Sequence, residues 1–403
     1  MRLFLVSAIL PIALIAAGGC VLDPQDAGTS LIDIVTGQAG DVTSSASATI
    51  PTAQGLESSD VVSGSLSGKG DYELFDLGPA RTGQAWTVAS DGGVFGGRSF
   101  LVVLFDSEYD LLYRQVVSAT VPLEHTIRFN TSSLYLGVTP SYGSSGGDFD
   151  LGISRRDGVT VPNPRPQTVW LNFGAASDVA VHARSGISFS DFDAGMLGSS
   201  YTGEDDVIKD AIVEAMREDY ADYNLVFSTS DEGPPLGEPF STIHFGGGDD
   251  RLLGLADNVD RYNTDRQQAA IVYVESFADF SVMRLSPEEM GQMVGNVASH
   301  ELGHLLGLFH TKVPEDLMDT TGTAWDLAAN QSFLRGVLEE NVFPIGFENT
   351  PQRLAETVGY NPDAKENQVT KHLGTEKLLR RAAIRALATT ELRYRCGNCL
   401  NPD

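Results

Sequence analysis

Three histidines and one glutamate stand close together at spacings that suit a catalytic zinc ion. On a helix, His300 and His304 are four residues apart, so their rings leave the same face one turn apart. Gly307 accepts the left-handed conformation that ends a helix, so the chain is expected to turn there and return His310 as a third nitrogen. Catalytic zinc takes three protein ligands and leaves a fourth position for water, which Glu301 can reach. The spacing therefore predicts a zinc hydrolase.

The full motif, His-Glu-Leu-Gly-His-Leu-Leu-Gly-Leu-Phe-His, resembles that of the metzincin metalloproteases, H-E-x-x-H-x-x-G-x-x-H followed by a methionine turn. Met318 lies eight residues after His310, where matrix-metalloprotease-like members keep that methionine. The resemblance implies that Met318 forms an apolar floor beneath the imidazoles. Thr320 stands where astacin- and serralysin-like members carry a tyrosine, and Thr311 after the third histidine identifies no branch. The subfamily therefore stays open.

The resemblance implies a zinc-dependent endopeptidase that hydrolyses peptide bonds. Zinc would activate a bound water, and Glu301 would take its proton and pass it to the leaving amine. The alternative is a catalytically silent surface lipoprotein that acts as a binding or adhesion module through its N-terminal part. Pseudo-enzymes commonly lose the base or a ligand, whereas this chain keeps Glu301 and all three histidines, which favours the enzyme.

Two further groups of residues could bind a metal, and each also has an interpretation without a metal. A Gly-rich stretch carries carboxylates, the ligands that calcium prefers, although such a loop is more often only solvated; its acids are Asp249, Asp250, Asp257, Asp260 and Asp265. His244 falls in a predicted strand and is either a second metal ligand or a core or edge histidine.

Composition narrows the class of partner. The 403-residue chain is 42% hydrophobic, which is typical of a folded protein large enough for two or three domains. Its net charge of −27 argues against nucleic-acid binding, because phosphate contacts need clustered lysine and arginine. A protein or peptide substrate is the expected partner, with membrane contact only through a lipid anchor.

The N-terminus predicts export. Residues 1–19 have a short positive start and an apolar run that is too brief for a comfortable membrane span, and they read as a signal peptide. Their end resembles a bacterial lipoprotein signal cut before Cys20, which would then carry lipid. Plain secretion and an uncleaved anchor are the alternatives. Val21 after the cysteine favours the outer membrane if the source is Gram-negative.

The other two cysteines, Cys396 and Cys399, form an even pair in an oxidising compartment. A local disulfide is the simplest interpretation, and free thiols or a metal knuckle are alternatives. A third alternative is a latency device, because residues 395–398 faintly resemble the matrix-metalloprotease motif in which a cysteine occupies the open zinc position.

The predicted fold class is α+β, with a zincin-like catalytic domain preceded by an all-β sandwich. Short strands between Gly, Asp and Ser clusters predict the sandwich, and residues 68–75 and 134–138 resemble domains that accompany secreted bacterial peptidases. The chain divides into a signal peptide (1–19), a flexible tether (20–55), the sandwich (56–157), a Pro-rich linker (158–166), the catalytic domain (167–362) and a charged, helical tail (363–403).

Local signals place the elements around the motif. Ser286 followed by Pro287 and two glutamates predicts the start of the metal-binding helix. Thr202 with Asp205 three residues later predicts a capping box for an earlier helix, and Thr350-Pro351 predicts a later one. Strands are expected at 72–77, 85–89, 100–105, 125–129, 134–138, 148–153, 168–173, 225–229, 242–245 and 269–274.

Overall fold

The architecture is α+β, as the sequence predicts. The computed structural model describes residues 20–22, 54–55, 61–90, 99–118, 120–141, 146–364 and 394–396. In these ranges the N-terminal part is all β, and the four α-helices belong to the C-terminal part. The predicted signal peptide, most of the tether and the predicted tail helix lie outside the described residues.

Two sheets face each other across one apolar core in the N-terminal part. Apart from β1 (Cys20–Leu22), which belongs to neither sheet, the strands are β2 (Gln54–Gly55), β3 (Val61–Leu66), β4 (Glu73–Asp76), β5 (Ala85–Ser90), β6 (Phe100–Phe105), β7 (Leu111–Val117), β8 (Leu123–Thr126), β9 (Tyr135–Pro140) and β10 (Gly147–Arg156). One sheet has the order β3-β10-β5-β8 and the other β2-β4-β9-β6-β7. Val88 and Leu151 of the first sheet pack with Val102 and Leu136 of the second.

Strand β6 reads Phe-Leu-Val-Val-Leu-Phe, and all six side chains are buried. Since successive side chains on a strand point to opposite faces, an apolar run of this kind requires cover on both sides. Phe100, Val102 and Leu104 face the core between the two sheets. Leu101 and Val103 face a second cluster that also contains Phe343, from the C-terminal part. The N-terminal sheets are thus packed against the C-terminal part.

The same interface contains a buried histidine. His125 stacks between Tyr113 (5.2 Å between ring centroids) and Tyr262 (5.7 Å), and Arg128 lies 3.7 Å from the centroid of the Tyr262 ring. Burial is the main reason that the pKa of His125 falls well below its usual value, and the neighbouring charge of Arg353 lowers it further. The imidazole is therefore neutral in the folded protein at pH 7.

This burial predicts acid sensitivity. Below pH ~6.5 the unfolded chain protonates His125 while the folded protein does not, so stability falls as the pH falls. The expected slope from this group is about 1.4 kcal/mol per pH unit. His125→Phe, which keeps an aromatic ring between the two tyrosines, should flatten the slope by that amount. Urea unfolding of both proteins between pH 5 and 8 measures it, and identical slopes would contradict the assignment.

The C-terminal part is built on a second five-stranded sheet of order β14-β11-β15-β17-β16. Its strands are β11 (Gln167–Asn172), β14 (Leu225–Thr229), β15 (Phe240–Phe245), β16 (Gly254–Ala256) and β17 (Ala269–Val272), while β12 (Ala176–Val181) and β13 (Arg184–Phe189) form a hairpin. All neighbouring pairs in the sheet are parallel except β16 with β17. The edge strand β16 thus runs against the others.

Four helices accompany this sheet in the described residues: α1 (Asp205–Asp219), α2 (Pro287–Leu305), α3 (Ala324–Ala328) and α4 (Thr350–Thr357). Short 3-10 helices cover Ala194–Leu197, Ser199–Tyr201 and Val274–Met283, and β18 (Arg335–Val337) pairs with β19 (Phe347–Asn349). The apolar sides of α1 and α2 share one core with Val169, Ile243 and Val272 of the sheet. The longest helix, α2, is thereby held rigidly over the sheet.

Helix starts were predicted with mixed success. The capping box at α2 is confirmed, with Ser286 and Glu289 bonded reciprocally. The helix at Thr350 is also confirmed, with Asn349 as its cap. The capping box at Thr202 is wrong, because α1 begins at Asp205 with Glu204 as its N-cap and without a side-chain cap, while the Thr202 hydroxyl donates to Ser199 O. The strand expected at 125–129 lies slightly earlier, as β8.

Near the termini, β1 pairs antiparallel with β20 (Tyr394–Cys396), and Cys20 lies opposite Cys396. Cys399 lies outside the described residues, so the disulfide to Cys396 stays a prediction. Across the described ranges, no helix is both long enough and apolar enough to cross a membrane.

Candidate metal centre

Helix α2 and the turn after it carry the four residues of the motif. His300, Glu301 and His304 lie in the last two turns of α2, which ends at Leu305. Two backbone hydrogen bonds form the C-terminal end of the helix, from Gly307 N–H to His304 O (2.8 Å) and from Leu308 N–H to Gly303 O (2.9 Å). Gly307 has a φ of +90°. This is the left-handed helix end that glycine favours. It reverses the chain and brings His310 back toward the helix, as predicted.

The three imidazoles converge. Their candidate ligand atoms all lie within 4.8 Å of one another, and the Nε2 atoms of His304 and His310 are 3.0 Å apart. Three nitrogens at ~2.0–2.1 Å from a tetrahedral zinc ion would be about 3.3 Å apart. Among the described residues this is the one group of three or more histidine, cysteine or acidic side chains that could hold a metal ion.

Each ring has a fixed acceptor for its other nitrogen. The Nδ1 of His300 lies 2.7 Å from Leu317 O, and the Nδ1 of His304 lies 2.9 Å from Leu308 O. The Nδ1 of His310 lies 3.1 Å from a carboxylate oxygen of Glu339. An Nδ1–H that donates to such an acceptor leaves the Nε2 lone pair free for a metal. The sequence did not reveal Glu339, because no motif marks a carboxylate 29 residues away.

Burial keeps two of the imidazoles, those of His300 and His304, neutral. It lowers the pKa of His300 to about 3, and the neighbouring His310 adds to that effect. It also lowers the pKa of His304 well below the usual value. The Nε2 of His300 is buried, with no hydrogen-bond partner in the described part of the protein. Three converging imidazole nitrogens, one of them without a partner, are the donor set that zinc takes, so the residues fit the ion.

Met318 lies in a turn that is bonded to both ends of the motif. The preceding residue, Leu317, accepts the hydrogen bond from His300, and Met318 O accepts one from Thr311 N–H (2.9 Å). Met318 is fully buried against Gly303 of α2, where an added Cβ would lie 2.6 Å from the methionine sulfur. The turn expected from the spacing thus packs against the metal-binding helix.

Glu301 points toward the edge strand of the sheet. A Cβ on Gly254, in β16, would lie 2.5 Å from Oε1 of Glu301, so the carboxylate fills the space that this glycine leaves. Glu301 is 0% exposed and His300 only 3% exposed. Both groups therefore lie inside the protein and not on its outer surface.

This contact gives a sharp prediction for Gly254→Ala. The glycine has no unusual backbone angle, so the new methyl group displaces the Glu301 carboxylate while the fold is kept. For the peptidase activity that the motif predicts, we expect the rate to fall ~100-fold, the usual effect of moving a reacting group by about 1 Å, with the zinc content unchanged. Steady-state kinetics with metal analysis test it. Gly174→Ala is the control, and equal kinetics for both variants would contradict the prediction.

The acidic stretch before the metal helix is engaged in local contacts. Asp249 pairs with Arg184, Asp257 accepts from the backbone of His182 and Ala269, and Asp260 accepts from Thr264 and Asp265. These hydrogen bonds and ion pairs hold the acids in the loop, and calcium binding there stays a prediction. His244 contacts the amide of Asn172 at 3.1 Å, and its pKa is lowered to about 4 by burial. It lies outside the three-histidine group.

The segment around the site has a known family likeness. Residues 206–331 match the matrixin peptidase family. The match runs from α1 through the three histidines and the methionine turn to the end of the following loop, so it supports a metzincin-like domain. No curated protein matches the chain.

Solved structures resemble parts of the chain, and two of them cover about a quarter of it. One is PliG, a periplasmic lysozyme inhibitor of g-type lysozyme from Aeromonas hydrophila, with 15% identity over 26% of this chain and 96% of that one and a TM-score of 0.22. Another is the pre-peptidase C-terminal domain of collagenase from Bacillus anthracis, with 16% identity, coverage of 26% and 95%, and a TM-score of 0.19. At such scores these likenesses carry no argument.

Proposed function

We propose that this chain is a zinc-dependent endopeptidase. The observation that carries the proposal is the convergence of three buried imidazoles on one point, with Glu301 on the same helix as His300 and His304, inside a segment that matches matrixin peptidases. His300, His304 and His310 would hold the ion through Nε2. Leu317, Leu308 and Glu339 orient the rings by accepting from Nδ1.

The chemistry needs one proton carrier. When bound, zinc lowers the pKa of a water and polarises the carbonyl of the bond to be cut. Glu301 accepts a proton from the attacking water while the water oxygen forms a bond to the carbonyl carbon. It then returns that proton to the amine nitrogen as the C–N bond breaks, which leaves a carboxylic acid and an amine. Gly254 leaves room for this carboxylate beside β16.

Metal removal and restoration test the proposal. The purified chain should contain one zinc per molecule and cut a peptide library at internal bonds. A chelator should abolish cleavage, and added zinc should restore it. Terminal-residue release in place of internal cleavage would indicate an exopeptidase. Zinc-loaded protein that cuts no peptide would overturn the proposal and favour a silent binding protein.

We also propose export with lipid attachment at Cys20, which is supported by the composition of residues 1–19. Cells fed labelled fatty acid should yield a labelled, membrane-associated protein, and Cys20→Ala should be unlabelled. Cys396→Ala controls for attachment at another cysteine. Label that persists in the Cys20 variant would contradict the proposal.

A further inference from the structure

Arg261 joins the turn before His310 to the N-terminal sheets. Its buried guanidinium donates from Nη1 to Gly307 O at 2.6 Å and to the carboxylate of Glu348 at 3.0 and 3.1 Å. Nε donates to Leu112 O at 3.2 Å, and Nη2 donates to Leu111 O. One side chain thus bridges the exit of the metal helix, β19 and the start of β7.

Arg261 and Glu348 also contact Phe309, in the turn before His310. The backbone of Phe309 donates to Glu348, and the guanidinium of Arg261 lies 5.2 Å from the centroid of the Phe309 ring. The ring packs in an apolar cluster with Leu101 and Val103 of β6. Of the five residues between His304 and His310, Gly307 and Phe309 are therefore held from the side that faces the N-terminal sheets.

A buried ion pair of this kind is stable only when its donors find acceptors. Arg261 and Glu348 are both buried in the protein, with side chains 5% and 0% exposed. Two of the acceptors, the carbonyls of Leu111 and Leu112, belong to β7. Without β7, the guanidinium would lose half of its partners and its fixed orientation toward Gly307.

We propose that Arg261 is a positioning residue of the zinc site and that β7 of the N-terminal sheets completes its hydrogen bonding. The N-terminal sheets then help to place His310 and are more than a spacer. The inference rests on the metal site proposed above and adds a structural dependence that the metal motif does not contain.

The test compares two arginines that cross the same interface. Arg261→Lys keeps the charge but cannot bridge Gly307, Glu348 and β7 at once. We expect zinc affinity, measured on the full-length protein by chelator competition, to fall roughly 10- to 100-fold, the usual effect of losing a group that orients ligands. The visible spectrum of the cobalt-substituted protein should also change, because the placement of His310 changes.

Arg335→Met is the matched control. Arg335 pairs with Asp110 across the interface at 2.6 Å but does not contact the turn, so its loss should lower stability and leave zinc affinity and the cobalt spectrum unchanged. If Arg261→Lys does not fold, Glu348→Gln carries the same test, because its amide keeps the size of the carboxylate and loses the charge. Wild-type affinity and spectrum in the Arg261 or Glu348 variant, or an equal loss in the control, would overturn the inference.

These measurements need no peptide. A wild-type protein that binds zinc but cuts nothing would refute the peptidase proposal and leave the role of Arg261 open to the same test. A wild-type protein that binds no zinc would refute both.

Discussion

Glu301→Gln is expected to lower kcat for peptide hydrolysis by about 10²- to 10⁴-fold, the range that general acid–base groups contribute. The amide has the size of the carboxylate, so it fits the enclosed space beside Gly254, but it cannot accept a proton from water. Zinc content should stay unchanged, because the candidate ligands are the three histidines. Steady-state kinetics and metal analysis on the same samples give both values.

Glu288→Gln is the matched control for this experiment. It makes the same chemical change on the same helix, but Glu288 is an exposed residue in the first turn of α2. Its kinetics should equal those of the wild type. A Glu301→Gln protein that keeps the wild-type rate would remove Glu301 from the mechanism, and one that loses zinc would show that the residue acts mainly on the structure of the site.

The sequence predicted the parts of the site that depend on spacing along one stretch of chain. His300 and His304 share a helix face because of the helical period, and Gly307 follows from the need for a left-handed turn. Ser286 marked the helix start correctly, because both partners of its capping box, Ser286 and Glu289, lie within four residues of the chain. Thr202 fitted the same pattern but failed, because α1 begins only at Asp205, with Glu204 as its N-cap, so the Thr202 side chain lies outside the first turn of the helix.

The groups that orient the site could not be predicted, because they come from distant segments. The acceptors in Leu317 and Leu308 are backbone carbonyls, which every residue has, so no residue type marks them. Glu339 is one of many acidic residues in the chain, and nothing in the sequence distinguishes it from the others. No sequence motif marks Arg261, because two of its acceptors, the carbonyls of Leu111 and Leu112, belong to the N-terminal sheets. One clue was present, since the unbroken apolar run of β6 indicates cover on both faces.

Gly307→Ala is expected to be the most destabilising change at the site. At φ +90° an alanine costs ~1–3 kcal/mol in backbone strain. Its Cβ would also lie 2.6 Å from Cα of Arg261 and 2.7 Å from Asp260 O, and such overpacking costs another ~1–3 kcal/mol. Because the clash is with backbone atoms, the turn itself must move and take His310 with it. We expect a loss of about 2–6 kcal/mol in the free energy of unfolding, together with weaker zinc binding.

Gly359→Ala separates the two causes. Gly359 follows α4 at φ +83°, nearly the same angle, but its added Cβ would meet only Pro164 at an ordinary 3.5 Å. This variant should lose only the strain energy of ~1–3 kcal/mol and keep wild-type zinc affinity. Urea unfolding and chelator competition on both variants decide between them. Equal stability losses with unchanged zinc binding would mean that the turn tolerates the contact with Arg261, and that the placement of His310 does not depend on it.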